Sequence, residues 1–237
     1  MALPTDPAES FVREVDENLR RDQMRDMAKA YGKWIIAGII LFLAAVGGYL
    51  YWQAHQREQA AAESETLDAA VDKVAAGDAK GARESLVPLT DSSNDVTRAS
   101  ALLGQASLAL RQNDRKAAIE LFRKVADDSG MPQPYRDLAT VRLVMTEYDQ
   151  LKPDEVISRL SPLAKPGNAF FGTAGEMTGL ALLAKGDRPA AGRLFAQIAA
   201  DQQVPDTIRS RAVQIAGSLG VDATASMPGN PAINPAL

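Results

Sequence analysis

Residues 113–122 read NDRKAAIELF, and this arrangement recurs along the 237-residue chain. It returns at 77–86 as GDAKGARESL and at 186–195 as GDRPAAGRLF, with a degenerate copy, LKPDEVISRL, at 151–160. Each complete copy has Gly or Asn, then Asp, an alanine four residues later and a bulky apolar residue four further on. The aligned positions 82, 118, 156 and 191 are separated by 36, 38 and 35 residues, the length of one helix–turn–helix unit.

The residue types of this pattern specify a helical hairpin. Gly or Asn before Asp lets the chain reverse, because these residues tolerate left-handed backbone conformations and Asp caps the next helix. The alanine falls where two helices cross closely, and the bulky residue one turn further fills the gap to the neighbouring helix. The predicted packing residues are Ala82, Leu86, Ala118, Phe122, Val156, Leu160, Ala191 and Phe195. One hairpin cannot bury this face alone, so several must stack into an α-solenoid.

The spacing of apolar residues and prolines predicts an all-α repeat domain over residues 53–219. Its expected helices are 54–76 with 79–90, 95–112 with 115–129, 134–151 with 153–165, 168–185 with 188–201, and a capping helix at 205–219. The segment 220–237 is rich in Pro, Ala, Gly and Asn, so we expect a disordered tail.

A single transmembrane helix is predicted before the repeats. Residues 34–52 read WIIAGIILFLAAVGGYLYW and carry no charge. As a helix they are roughly 28 Å long, close to the ~30 Å hydrocarbon core of a lipid bilayer. Interfacial aromatic residues stand at both ends: Trp34, Tyr49, Tyr51 and Trp52. Within the span, Ala44 and Gly48 form a small-residue pair that permits close helix packing, although such pairs are common in membrane helices.

Basic residues on one side of this helix predict its orientation. The preceding segment carries Arg20, Arg21, Arg25, Lys29 and Lys33, whereas the following 20 residues carry only Arg57. By the positive-inside rule, residues 1–33 lie in the cytoplasm of a bacterial cell and the C-terminal part lies in the periplasm, with an uncleaved signal anchor in the inner membrane. A cleaved signal peptide is the less favoured alternative, because the apolar run and the preceding segment are both too long.

The segment before the membrane is amphipathic. Phe11, Val15 and Leu19 share one helical face, and polar residues occupy the other. This arm either docks on a cytoplasmic partner surface or lipid headgroups, or is a solvated helix that carries the topogenic charges.

Composition argues against catalysis. The chain has no cysteine and a single histidine, His55, so thiol chemistry, His-based metal clusters and a serine triad are not expected. We therefore predict no enzymatic activity, no catalytic or metal site and no cofactor.

Asp154 and Glu155 follow Pro153 in a first helical turn, where a capping role is expected. A net charge of −4 argues against nucleic acid binding. Arg111, Arg115 and the 123–124 pair are either a local positive strip or a solvated face.

The repeat pattern resembles tetratricopeptide repeats, whose unit has a small residue late in its first helix, a Gly-Asp-type turn, then Ala and an aromatic residue. Ala106 and Gly179 stand at that small position, whereas the Trp and Tyr typical of the first helix are missing, so the match is to a divergent member. The order of parts, an arm reading FVREVDENLRRDQM, an anchor and degenerate repeats, resembles the YfgM-like family of ancillary subunits of the bacterial Sec translocon. That resemblance implies association with the Sec channel and with a membrane-anchored periplasmic chaperone of the parvulin-like type.

The leading functional hypothesis is therefore a membrane-anchored scaffold that binds a periplasmic chaperone or exported polypeptides beside the Sec translocon. The alternative is a periplasmic organiser of the cell envelope or division machinery. The sequence leaves open which groove residues contact a ligand, the oligomeric state, whether substrates bind directly or through a partner, and the role of the tail.

Overall fold

The computed structural model describes residues 7–228, with side chains for Met24, Met27, Lys29 and residues 31–228. Every regular element in that range is helical, which confirms the predicted all-α fold. The α-helices are α1 (Pro7–Ala75), α2 (Ala79–Leu86), α3 (Asp95–Arg111), α4 (Arg115–Asp127), α5 (Gln133–Glu147), α6 (Pro153–Leu160), α7 (Phe171–Ala184), α8 (Arg188–Ala200) and α9 (Asp206–Ser218). Short 3-10 turns cover Pro88–Asp91, Tyr148–Gln150 and Thr224–Ser226.

The chain divides into two compact units, Met1–Ala61 and Ala62–Leu237. The first contains the apolar stretch of α1. The second, which we call the repeat unit, contains the remainder of α1 and helices α2 to α9. The predicted arm face formed by Phe11, Val15 and Leu19 lies outside the residues whose side chains are described.

The helix–turn–helix turns follow from the residue types of the repeat. Gly77, Asn113 and Gly186 all have positive φ values, of 81°, 59° and 88°. Because an L side chain rarely adopts this conformation, Gly or Asn is favoured there. The aspartate that follows is the N-cap: the carboxylate of Asp114, for example, accepts the backbone N–H of Ala117 at 3.0 Å. Asp78 and Asp187 make the same bond to Gly81 and Ala190.

The core of the repeat unit is a series of apolar clusters between successive helices. The structure places all eight sequence-predicted packing residues in these clusters: Ala82, Leu86, Ala118, Phe122, Val156, Leu160, Ala191 and Phe195. Along α7 the packing is tightest at Gly179, where an added Cβ would lie 2.7 Å from the ring of Phe195. Glycine there lets α7 and α8 approach closely.

Several predicted helices are shorter than expected, and those predicted at 134–151 and 153–165 end at Glu147 and Leu160. The helix predicted at 79–90 ends at Leu86, because Pro88 has no backbone N–H to continue the helical hydrogen bonds. A 3-10 turn follows. The helix predicted at 168–185 begins only at Phe171, because the side chain of Asn168 accepts the N–H of Phe170 and forms a turn instead.

The expected disordered tail differs from the structure over its first residues. Ala223 is buried in the same cluster as Phe195, and the carbonyl of Ser226 accepts a hydrogen bond from Arg209. Residues 221–226, VDATAS, contain no proline or glycine. The proline-rich composition of 220–237, on which the expectation of disorder depends, therefore comes from the later residues. Residues 229–237 lie outside the described range.

Candidate functional site

A repeated position leaves side chains exposed on the first helix of every hairpin. The aligned positions of the repeat motif are 82, 118, 156 and 191. The residue twelve positions before each of them is buried, and these residues are Ala70, Ala106, Val144 and Gly179. The next residue is exposed in all four hairpins, and these are Val71, Ser107, Met145 and Leu180. We call these four the ladder residues. Since they share one register in stacked repeats, they belong to one face of the array.

The ladder is largely apolar although it is exposed. Val71 is 65% exposed, Met145 44% and Leu180 41%. Large apolar side chains left in water at an equivalent position of three repeats are unlike the scattered exposed residues of an ordinary surface, and a recurring apolar face is typical of a binding surface.

The first two ladder residues line a cleft between the end of α1 and α3. It encloses about 350 Å³. Apolar side chains of α1 form one wall, and small residues of α3 form the other. The lining residues are Leu67, Ala70, Val71, Val74, Leu86, Ser100, Gly104, Ser107, Leu108 and Arg111. An added Cβ at Gly104 would lie 2.9 Å from the side chain of Leu86, so the bare backbone at this position lets α3 lie close to α2.

A second, more open depression surrounds the ladder residue Met145. Leu110 and Thr146 line it together with Asn113 and Arg115. The guanidinium of Arg115 donates two hydrogen bonds to the backbone carbonyl of Thr146, through Nε at 2.6 Å and through Nη2. This bond ties α4 to α5, so Arg115 has a structural contact within the repeat.

An ion-paired carboxylate joins the second hairpin to the third and the two helices of the third to each other. The carboxylate of Glu147, only 12% exposed, accepts hydrogen bonds from Arg123 at 2.7 Å and from Arg159 at 3.0 Å. Two residues of the expected positive strip, Arg115 and Arg123, are therefore engaged with the third hairpin. The strip is reduced to Arg111 and Lys124, for which no ion pair occurs among residues 31–228.

Two further pairs lie on exposed surfaces and shift the pKa of their basic partner. The hydrogen bond from Lys185 to Asp154 at 2.6 Å holds the pKa of the lysine above its ordinary value. The bidentate hydrogen bonds from Arg211 to Glu176, at 2.7 and 2.8 Å, likewise raise the pKa of that guanidinium and join α9 to α7. Both cations stay protonated at neutral pH.

Comparison with known proteins identifies the family. The sequence profile of the tetratricopeptide repeat-like domain matches residues 25–216, most of the chain. This chain belongs to the tetratricopeptide repeat-like domain family. It is 27% identical over 184 residues to the ancillary SecYEG translocon subunit of Haemophilus influenzae, covering 77% of this chain and 88% of the relative. It is also 27% identical over 186 residues to the ancillary SecYEG translocon subunit of Escherichia coli, covering 75% and 85%.

These matches confirm the resemblance to the YfgM-like family that the order of parts indicates. No solved structure matches the chain significantly. The family assignment also fits the ladder, because in a tetratricopeptide repeat-like array the first helices of the hairpins share one face.

Sequence reasoning missed a recurring arginine of this tetratricopeptide repeat-like domain. Arg136 on α5 donates through Nε to the carbonyl of Ala126 at 3.5 Å, and Arg209 on α9 donates to that of Ala199 at 3.1 Å. Each arginine satisfies a carbonyl near the end of the helix ten residues earlier. The signal was present in the sequence, since both arginines follow a motif alanine by eighteen residues.

The sequence-predicted anchor residues lie on the exposed surface of α1. Trp34, Tyr49, Tyr51 and Trp52 all project outward, and the rings of Tyr49 and Trp52 have centroids 6.4 Å apart. In the described part of the chain, one helix segment, Tyr31–Ala75, is long and apolar enough to cross a membrane, and none of its most apolar window is buried. Lys29 and Lys33 are exposed, whereas the side chains of Arg20, Arg21 and Arg25 lie outside the described set.

The described side chains include no group of three or more His, Cys, Asp or Glu residues placed to hold a metal ion. His55 is exposed, and its Nε2 lies 3.1 Å from Nε2 of Gln59, one turn further along α1. The ladder and the cleft expose mainly apolar side chains, with Arg111 among the lining residues of the cleft.

Proposed function

We propose that this protein is a membrane-anchored scaffold of the Sec translocon whose repeat domain binds polypeptide. Two relatives named as ancillary SecYEG translocon subunits support the association, because the chain spans at least 85% of each. The observation that carries polypeptide binding is the exposed apolar ladder in one register of the repeats. The proposed ligands are a membrane-anchored periplasmic chaperone of the parvulin type and exported polypeptides.

The proposed arrangement follows the order of parts. Residues 1–33 are the cytoplasmic arm, 34–52 the membrane anchor, 53–219 the periplasmic repeat domain and 220–237 a tail. The bacterial inner membrane holds the anchor, and the anchor confines the repeat domain to one surface. Confinement raises the effective concentration of a ligand that emerges from a neighbouring channel, so weak individual contacts suffice. Binding of this kind needs no catalytic group, and we propose no enzymatic role.

Site-specific photocrosslinking in intact membranes tests the proposal. A photoreactive residue is placed at the ladder positions Met145 and Leu180 and at Leu41, which is exposed in the apolar stretch. Lys116, exposed on the second helix of its hairpin, is the matched control. We expect channel subunits to be captured from Leu41, and a foldase or exported chains to be captured from the ladder but not from the control.

Two results decide against the proposal. If neither a channel subunit nor a periplasmic polypeptide is captured from any of the three positions, the scaffold function is wrong. If a fluorescent fusion is concentrated at the septum instead of distributed along the membrane, the protein belongs with the division machinery.

A further inference from the structure

The cleft between α1 and α3 has two unlike walls. Leu67, Val71 and Val74 line one side at spacings of four and three residues, so they form a continuous apolar strip along α1. Ser100, Gly104 and Ser107 line the other at the same spacings on α3. The small side chains of Ser100 and Ser107 let the backbone of a ligand come close, whereas Leu86 fills the space beside Gly104. The apolar residues on the α1 side contact the side chains of the ligand.

The dimensions of the cleft limit the occupant. From residue 100 to residue 111 the cleft wall follows three turns of α3, which is about 16 Å at the helical rise. An extended peptide covers that length with about five residues. A volume of about 350 Å³ is near the lower end of the range for ligand pockets, which is roughly 300–1,000 Å³. The cleft therefore fits a few side chains of an extended segment.

One charge marks the end of the cleft. Arg111 lines it in the last turn of α3, and its guanidinium has no hydrogen bond or ion pair with any side chain or carbonyl of residues 31–228. The neighbouring cations Arg115 and Arg123 both have such contacts. An arginine without a partner beside an apolar surface complements a carboxylate that arrives with apolar neighbours.

We propose that this cleft is the peptide subsite of the array and that it selects an extended segment in which apolar side chains are followed by an acidic side chain. The apolar side chains lie along Leu67, Val71 and Val74, and the acidic side chain pairs with Arg111. The inference rests on the proposed function, because it names the class of polypeptide that the repeat domain recognises.

Fluorescence polarisation with synthetic peptides tests this on the full chain in lipid nanodiscs. The probe is Leu-Val-Leu-Val-Glu-Gly, labelled at its N-terminus and amidated at its C-terminus, so that the glutamate is its one carboxylate. Matched peptides replace that glutamate with glutamine or lysine, and empty nanodiscs correct for lipid binding. We expect the glutamate peptide to bind at least five-fold tighter than the glutamine peptide and more tightly still than the lysine peptide.

Variants of the cleft separate its two features. Val71→Glu and Ser107→Trp, both at exposed ladder positions, should weaken the glutamate and glutamine peptides at least ten-fold. Arg111→Glu should weaken the glutamate peptide at least five-fold and leave the glutamine peptide within two-fold. Met227→Glu, at an exposed apolar position outside the ladder and the cleft, and Arg142→Glu are the matched controls and should change no affinity by more than two-fold. Far-UV circular dichroism checks that each variant is folded.

The inference is overturned if no peptide binds, if the lysine peptide binds as tightly as the glutamate peptide, or if control and cleft variants weaken binding equally. Those failures are distinguishable from failure of the scaffold function, because crosslinks from Met145 and Leu180 would still capture polypeptide. The reverse result, peptide binding without crosslinks in membranes, would leave the cleft assignment standing and refute the scaffold.

Discussion

The contact between α7 and α8 predicts that adding one methyl group at Gly179 destabilises the protein. Replacing glycine by alanine inside a helix normally stabilises it by up to about 1 kcal/mol. At Gly179, however, the new Cβ would lie 2.7 Å from two ring carbons of Phe195, a side chain with no exposed surface. The ring is rigid and enclosed, so the overlap is relieved only by moving α7 from α8. Overpacking of this kind costs about 1–3 kcal/mol.

Gly217 is the matched control. It lies in α9 with no atom within 4 Å of an added Cβ, so Gly217→Ala gains helix propensity without a clash. The difference between the two variants isolates the steric cost of about 1–3 kcal/mol, which corresponds to a melting temperature lower by roughly 2–12 °C for Gly179→Ala. Thermal unfolding of the full chain, followed at 222 nm, measures it. If Gly179→Ala melts at or above Gly217→Ala, the close approach at this position is refuted.

Two further predictions concern polar contacts of the repeat unit. Glu147→Ala removes the carboxylate shared by Arg123 and Arg159, so we expect a loss of about 1–3 kcal/mol in the same melting experiment; an unchanged melting temperature would contradict the role of this junction. Arg209→Met keeps the apolar stem of a side chain that is 6% exposed but removes its hydrogen bond to Ser226, so limited proteolysis should cut the chain after α9 sooner. Equal cleavage rates in both proteins would contradict it.

The helices and turns of the repeats were accessible from the sequence because their determinants are local. A left-handed residue followed by an N-cap aspartate, as at Asn113 and Asp114, fixes a turn from two neighbouring side chains. The buried motif positions follow from the same register. The predicted bounds of α3 and α4 accordingly lie within one or two residues of those observed.

The rest depends on contacts between residues distant in sequence. Asp154 and Glu155 lie in the first turn of α6 as expected, and Glu155 accepts the N–H of Lys152. The pairing of Asp154 with Lys185, 31 residues away, has no local signal in the sequence. The cleft could not be predicted either, because Val71 and Ser107 become neighbours only when two hairpins stack. The positions of the ladder residues nevertheless follow from the repeat spacing, because each stands eleven residues before an aligned motif position.

Membrane topology is the claim on which the scaffold function depends most directly, and the chain offers a simple test because it has no cysteine. Single cysteines are introduced as Met24→Cys, before the apolar stretch, and as Gln202→Cys, an exposed position after α8. A membrane-impermeant maleimide is then added to intact and to lysed spheroplasts. We predict that Gln202→Cys reacts in intact spheroplasts and that Met24→Cys reacts only after lysis. Labelling of Met24→Cys with protection of Gln202→Cys in intact spheroplasts would contradict the account.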